Sequence, residues 1–76
     1  DLKTFIKSIP VADREGFANR CGTTANHLRN VAYGLKPCGE ALCINIERET
    51  AGAVRCETLR PDVDWAYIRG TAKHAA

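Results

Sequence analysis

Asn26, Arg29, Asn30 and Tyr33 recur at i, i+3, i+4 and i+7, the spacing that aligns side chains along one stripe of an α-helix. All four can hydrogen-bond. A stripe of this kind suits a helix laid in the major groove of DNA, where asparagine bonds bidentately to adenine and arginine to guanine. Leu28, Val31 and Leu35 recur at i, i+3 and i+7 on the other side, so that side is expected to face the body of the protein. One helix thus carries an apolar stripe opposed to a polar one.

Other chemistries find less support. The four cysteines stand at 21, 38, 43 and 56, and no C-x-x-C pair supplies the closely spaced ligands that a zinc site needs. His27 and His74 do not complete such a set. Cys21 and Cys43 fall on apolar helical faces, where a thiol packs as a small hydrophobe. A disulfide framework needs an oxidising compartment, and no signal peptide directs the chain to one, so reduced thiols and a cytoplasmic location are expected. A nucleophilic cysteine would need a base and an orienting group, and the histidines are not placed to serve. There is no phosphate-cradling glycine loop and no paired carboxylates, so neither an enzyme nor a cofactor is expected.

The stripe has to be positioned by a scaffold, which the rest of the chain outlines. Residues 1 to 9 read as a first helix: Asp1 can cap it, and Leu2, Phe5, Ile6 and Ile9 form its apolar face. Pro10 ends that helix or opens the next. Lys3 and Lys7 lie together outside, as a solvated face or against DNA backbone. A second helix begins between Pro10 and Asp13 and runs to Cys21, with Phe17, Ala18 and Cys21 inward. The small Ala18 allows a close crossing with the next helix. Gly22 can take the positive φ that ends this helix, and a threonine following it can cap the next. Arg14 can meet a phosphate at the second helix's N-terminus or be simply solvated.

Gly34 ends the stripe-bearing helix, and Lys36 is well placed for a phosphate beside the groove. A further helix is expected from Gly39 to Thr50, with Gly52 as its stop and Leu42, Cys43 and Ile46 inward. Ile44 falls elsewhere, under the C-terminal segment or on a partner surface, with burial favoured. A short extended segment is expected near residues 53–55. Arg60-Pro61 then forces extended or turned backbone, and Asp62 or Asp64 caps a last short helix that packs Trp65 and Ile68 inward. Residues 70–76 read as a flexible tail. Asp1 rather than methionine opens the chain, which reads as a trimmed start.

The pattern Phe17, Ala18, Gly22, Leu28, Val31, with Gly22 to Gly34 uninterrupted, resembles the helix-turn-helix of phage repressors and Cro proteins. Ile46-Glu47, Thr50, Gly52, Val54, Leu59-Arg60-Pro61-Asp62 and Trp65 resemble the end of the YdaS-like Cro family, so the resemblance covers about residues 1 to 68. It implies a small all-α, five-helix, lambda-repressor-like domain over residues 1–69 that binds operator DNA. The residues carried over are Asn26, Arg29 and Asn30 for base edges, Ala25 for a thymine methyl, and Arg14, Thr24, Tyr33 and Lys36 for phosphates. Many relatives of the motif hold glutamine where this chain has Ala25 and Asn26, so an operator sequence does not transfer. The family also carries an antitoxin description, which implies a rival role as a module that covers a toxin partner.

Seventy-six residues with a net charge of +2 leave a marginal core, to which oligomerisation usually adds. No membrane-length apolar run is present. Arg14, Arg20, Arg29 and Lys36 oppose only Glu15 between positions 14 and 36, whereas acids outnumber bases between 40 and 64. The basic half is expected to face phosphates. A homodimer on a pseudo-palindrome would set two recognition helices roughly 34 Å apart. Glu47, Glu49, Val54 and Trp65 are candidates for its surface, although a tryptophan in so small a domain is more often core.

Overall fold

The computed structural model describes residues 1–70, and within them the regular elements are all helical. Asp1 Oδ1 accepts from the Thr4 amide at 2.8 Å and caps α1, Leu2–Ser8. Ile9 is extended ahead of Pro10, as the residue before a proline tends to be. A 3-10 turn, Val11–Asp13, leads into α2, Arg14–Arg20. Then follow α3, Ala25–Ala32, and α4, Glu40–Glu49. Two four-residue helices, α5 (Cys56–Leu59) and α6 (Trp65–Ile68), complete the described chain. The brief α5 adds to the five helices expected. Residues 71–76, most of the expected tail, lie outside the described residues.

Three helices stop in the same way. After α2, the Thr23 amide donates to Ala18 and the Gly22 amide to Asn19; after α3, Leu35 donates to Asn30 and Gly34 to Val31; after α4, Gly52 donates to Glu47 and Ala51 to Arg48. Each pair of bonds satisfies carbonyls that the helix end would orphan, and each requires one residue at positive φ. Gly22 and Gly34 supply it after α2 and α3. After α4 the residue is Ala51, at φ 52°, and Gly52 comes one place later. The expected stop at Gly52 is therefore displaced onto an alanine.

The core joins Leu2, Phe17, Ala18, Leu28, Ile46, Val54 and Trp65 to all four cysteines. Ala18 is wholly buried where α2 packs on α3, while α1 braces α3 and α4 packs on α2 and α5. Residues 53–55 are not a strand. The buried Thr50 hydroxyl accepts from the Val54 amide at 3.1 Å and turns the chain back, so Val54 enters the core and only Arg55 is extended. Asp64 caps α6, accepting from the Tyr67 amide at 3.2 Å, as one of the two expected caps.

Four apolar expectations are corrected. Leu35 lies beyond the end of α3 and is 72% exposed, because the Gly34 turn carries it off the helical face. Ile44 is 48% exposed and Ile68 64% exposed, so neither is folded inward. Val54 and Trp65 are buried in the protomer and are unavailable as a dimer surface.

The C-terminal third is held by charge. Arg60 forks onto Asp62 at 2.9 and 2.8 Å, and its Nη1 donates to the Cys38 carbonyl at 2.9 Å and to Glu40 at 2.6 Å. The Arg60 carbonyl in turn accepts from Trp65 Nε1 at 2.7 Å. Glu47 accepts from the Cys56 amide at 2.9 Å and from Arg69 at 2.5 Å. The Arg69 hydrogen bond, followed by the Cys56 amide, holds the Glu47 carboxyl down from 4.5 to about 2. The Arg60 fork likewise holds Asp62 at about 2.

Two stability predictions follow from these contacts. Ala51→Gly relieves a left-handed alanine at the cost of some chain entropy, so it should stabilise the fold by about 0.5–1 kcal/mol, read as a rise in Tm of several degrees. Because Glu47 and Asp62 titrate lower in the folded chain, the stability they contribute is full above their ordinary range and is lost as pH falls towards about 2. Glu47→Gln should therefore lower Tm at neutral pH and flatten its acid dependence, with the two proteins converging near pH 2.

Candidate nucleic-acid interface

The stripe is presented by α3, whose start is fixed twice. Thr24 Oγ1 accepts from the His27 amide at 3.2 Å, the usual arrangement for a capping threonine. Glu15, from α2, accepts from the Ala25 amide at 3.2 Å, so a second orphan donor at the helix N-terminus is satisfied from the neighbouring helix. At the turn, Asn45 Nδ2 donates to the Cys21 carbonyl at 2.8 Å. A Cβ on Gly22 would stand 3.4 Å from that amide nitrogen. The link between α2 and α3 is thereby tied to α4.

Asn26, Arg29 and Tyr33 are exposed and Asn30 is half-buried, so the polar stripe points outward while Leu28 is buried beneath it. Arg29 Nη2 donates to Asn26 Oδ1 at 3.1 Å, which holds two of the expected base-reading groups side by side. Thr24 and Lys36 are exposed, and Ala25 is half-buried. Arg14 is also half-buried; its Nε donates to the Ile9 carbonyl at 3.0 Å. Ala25, Asn26 and Arg29 line an open cleft of about 390 Å³ with Arg14 and Glu15 on its rim.

Helix α1 packs on α3 and reaches the same surface. Lys3 Nζ sits 5.2 Å from the centre of the Tyr33 ring, a cation–π distance, so it is not a freely solvated lysine. Lys3, Lys7, Arg14, Arg29 and Tyr33 all line a small cleft of about 100 Å³. The signal was present in the four-residue spacing of Lys3 and Lys7. What the sequence lacked was the packing of α1 on α3.

The charges separate into two populations. Arg20, Arg48, Arg55, Arg60 and Arg69 are all engaged by Glu40, Glu47, Glu49, Glu57 or Asp62. Among the described residues, Lys3, Lys7, Arg14, Arg29 and Lys36 form no ion pair. Glu47 and Glu49, expected on a dimer surface, are instead occupied by arginines of their own chain. The unpaired cations cluster about α3 and α1.

The described residues include no group of three or more histidine, cysteine or acidic side chains able to hold a metal ion. Among them, no helix is long and apolar enough to cross a membrane.

Fold and surface together define a small all-α domain that presents one polar, cation-flanked helix. Residues 11–68 match the family model described as "Bacterial toxin YdaS", and the chain belongs to that family. It is 36% identical over 62 residues to a protein of Escherichia coli (strain K12) named "Putative transcriptional regulator YdaS", covering 82% of this chain and 63% of that one. It is 31% identical over 62 residues to a "Prophage transcriptional regulatory protein" of the same strain, covering 82% of this chain and 94% of that one. The chain thus spans less than two thirds of the first relative's length. No solved structure matches.

Thr24→Ala removes the cap of α3 and should destabilise the protein by about 1 kcal/mol. Thermal unfolding should show a lower Tm for the alanine variant and a near-native one for Thr24→Ser.

Proposed function

We propose that the protein is a transcriptional regulator that binds operator DNA by laying α3 in the major groove. The observation that carries this reading is the outward stripe of Asn26, Arg29, Asn30 and Tyr33, flanked by cations that form no ion pair among the described residues. The names of the two relatives support it. Residues 1–69 carry this role as a helix-turn-helix of Cro type, with α2 and α3 as its two helices.

Asn26, Arg29 and Asn30 read base edges, and Ala25, at the mouth of the larger cleft, receives a thymine methyl. Arg14, Thr24, Tyr33 and Lys36 hold phosphates and set the register. Lys3 and Lys7 join them, because α1 brings both residues to the lining of the same cleft as Arg14 and Arg29. A single copy reads too few base pairs for selectivity, so two copies bind a pseudo-palindrome with recognition helices one helical turn apart. The protein acts in the cytoplasm at the nucleoid and uses no cofactor.

The family's description is compatible with one other reading, an antitoxin or protein-interaction module that covers a toxin partner. Ile44 and Ile68, exposed beside a groove along α4 and α6, would give that reading its surface.

Gel-shift titration against the gene's own upstream DNA, beside scrambled DNA of equal length, separates the two. The regulator should prefer its operator by roughly a thousandfold or more. Arg29→Ala combined with Asn30→Ala should abolish that preference while leaving Tm nearly unchanged. Lys3→Ala combined with Lys7→Ala should weaken binding to every sequence and reduce the salt slope by about 2. Equal, weak binding to both DNAs would overturn the regulator reading and favour the interaction module.

A further inference from the structure

The connector from α3 to α4 ends in an unusual contact. Gly39 caps α4, which makes Cys38 the residue before the cap and Cys43 the fourth residue of the helix. These are the two positions at which apolar side chains commonly pack to fix the angle of chain entry. Here both are thiols. The Cys43 Sγ–H donates to Cys38 Sγ at 3.1 Å, and both side chains are buried.

We propose that Cys38 and Cys43 are a disulfide-forming pair, which a peroxide converts from a packing contact into a covalent clamp on the start of α4. A disulfide bond is about 2.05 Å long, so the sulfurs need to approach by only about 1 Å. Arg60 holds the Cys38 carbonyl at 2.9 Å and so steadies one side of the pair. Of the four cysteines, this pair has the two sulfurs in direct contact.

The order of steps follows from the hydrogen bond. Cys38 Sγ is the acceptor, so its thiolate is the form that the contact favours, and Cys43 is the donor. Once deprotonated, Cys38 sulfur attacks one peroxide oxygen and breaks the O–O bond; the sulfur is oxidised to a sulfenic acid and the other oxygen leaves as water. Cys43 sulfur then attacks Cys38 sulfur, the S–S bond forms, and the displaced hydroxide leaves as water with the Cys43 proton. In all, two thiols and one hydrogen peroxide give one disulfide and two waters. Burial raises both thiols, Cys43 to about 12, so the reaction is slow and proceeds when the connector opens. The pair is therefore a response to sustained oxidation and not a fast sensor.

The full chain is treated with hydrogen peroxide, quenched, unfolded and alkylated, then digested with trypsin and weighed. Cys38 and Cys43 fall in one tryptic peptide, residues 30–48. That peptide should be unalkylated and lighter by two hydrogens, with Cys21 and Cys56 alkylated. Tm should rise by roughly 10 °C and return on treatment with dithiothreitol. In Cys38→Ser and in Cys43→Ser the three remaining thiols should stay alkylatable and the rise should vanish. Four alkylated cysteines in the treated wild-type chain, under conditions that oxidise a free thiol peptide, would overturn the proposal. So would a bridge to Cys56 or to a second molecule, or sulfinate on either residue without the disulfide. None of these readouts involves DNA, so failure here leaves the regulator reading standing, and failure of that reading leaves this one.

Discussion

The Arg60 guanidinium is the contact on which the arrangement of the chain's two halves depends. Its fork on Asp62 shapes the turn around Pro61, and its remaining nitrogen reaches the Cys38 carbonyl and Glu40 at the entry to α4. Two donors to one carboxylate fix direction as well as distance. The turn that results aims the Arg60 carbonyl at the Trp65 indole, so one residue seats the largest core side chain and ties its segment to the connector that follows α3. A lysine at this place could hold a charge but not the fork. The core itself is thin, with four cysteines among its eleven buried hydrophobic residues. Small thiols bury little area each, and directional polar links are what align short helices over such a core.

The same economy shows in how the helices stop. Three of them use a left-handed residue to recover orphan carbonyls, and in each the chain leaves in a set direction. After α2 that direction launches α3 at the angle where Ala18 permits close approach. After α3 it throws Leu35 outward and starts the connector bearing Lys36 and Cys38. Turn chemistry thus decides the direction in which α3 and the connector after it leave.

What the sequence made legible was local. The periodicity over 25–33, the glycine stops at 22 and 34, the threonine cap and the aspartate caps all act within one or two turns of chain, and each is found where residue type places it. Misreadings came where a local pattern was extended past a turn. Leu35 fits the heptad-like spacing of α3 only if the helix continues, and Gly34 ends it. Ile68 shares a helical face with Trp65 at i, i+3, yet it is the last residue of α6 and stays exposed. Ala51 could not be read as a left-handed residue, because alanine gives no such signal and Gly52 beside it gives a strong one. Helix α5 was unreadable for a related reason: Arg55 caps it without a side-chain bond, and the link that holds its first amide is Glu47, nine residues back. The share of Lys3 and Lys7 in the candidate interface depends on α1 packing against α3, a contact between residues about thirty apart. Residue type announces a cap, whereas a tertiary neighbour is announced only by the fold.

Charge shows how a chain of net charge +2 can still gather its unpaired cations on one side. Summing charges along the sequence treats each residue as equally free, but five arginines are neutralised by carboxylates at 2.5 to 3.5 Å. Exposed pairs of this kind add little stability individually. Their larger effect is on the field: each neutralised pair removes one positive and one negative source from the region of α4 to α6. The cations that remain are concentrated on α1, the start of α2, α3 and its connector, where Asp1, Asp13 and Glu15 offset part of their charge. Fields from such a cluster add over distances within a Debye length, about 8–10 Å at physiological salt, and the shared cleft sets Lys3, Lys7, Arg14 and Arg29 around one small volume. Segregation of paired from unpaired charge, and not net charge, is therefore the quantity that bears on attraction of a polyanion to this face.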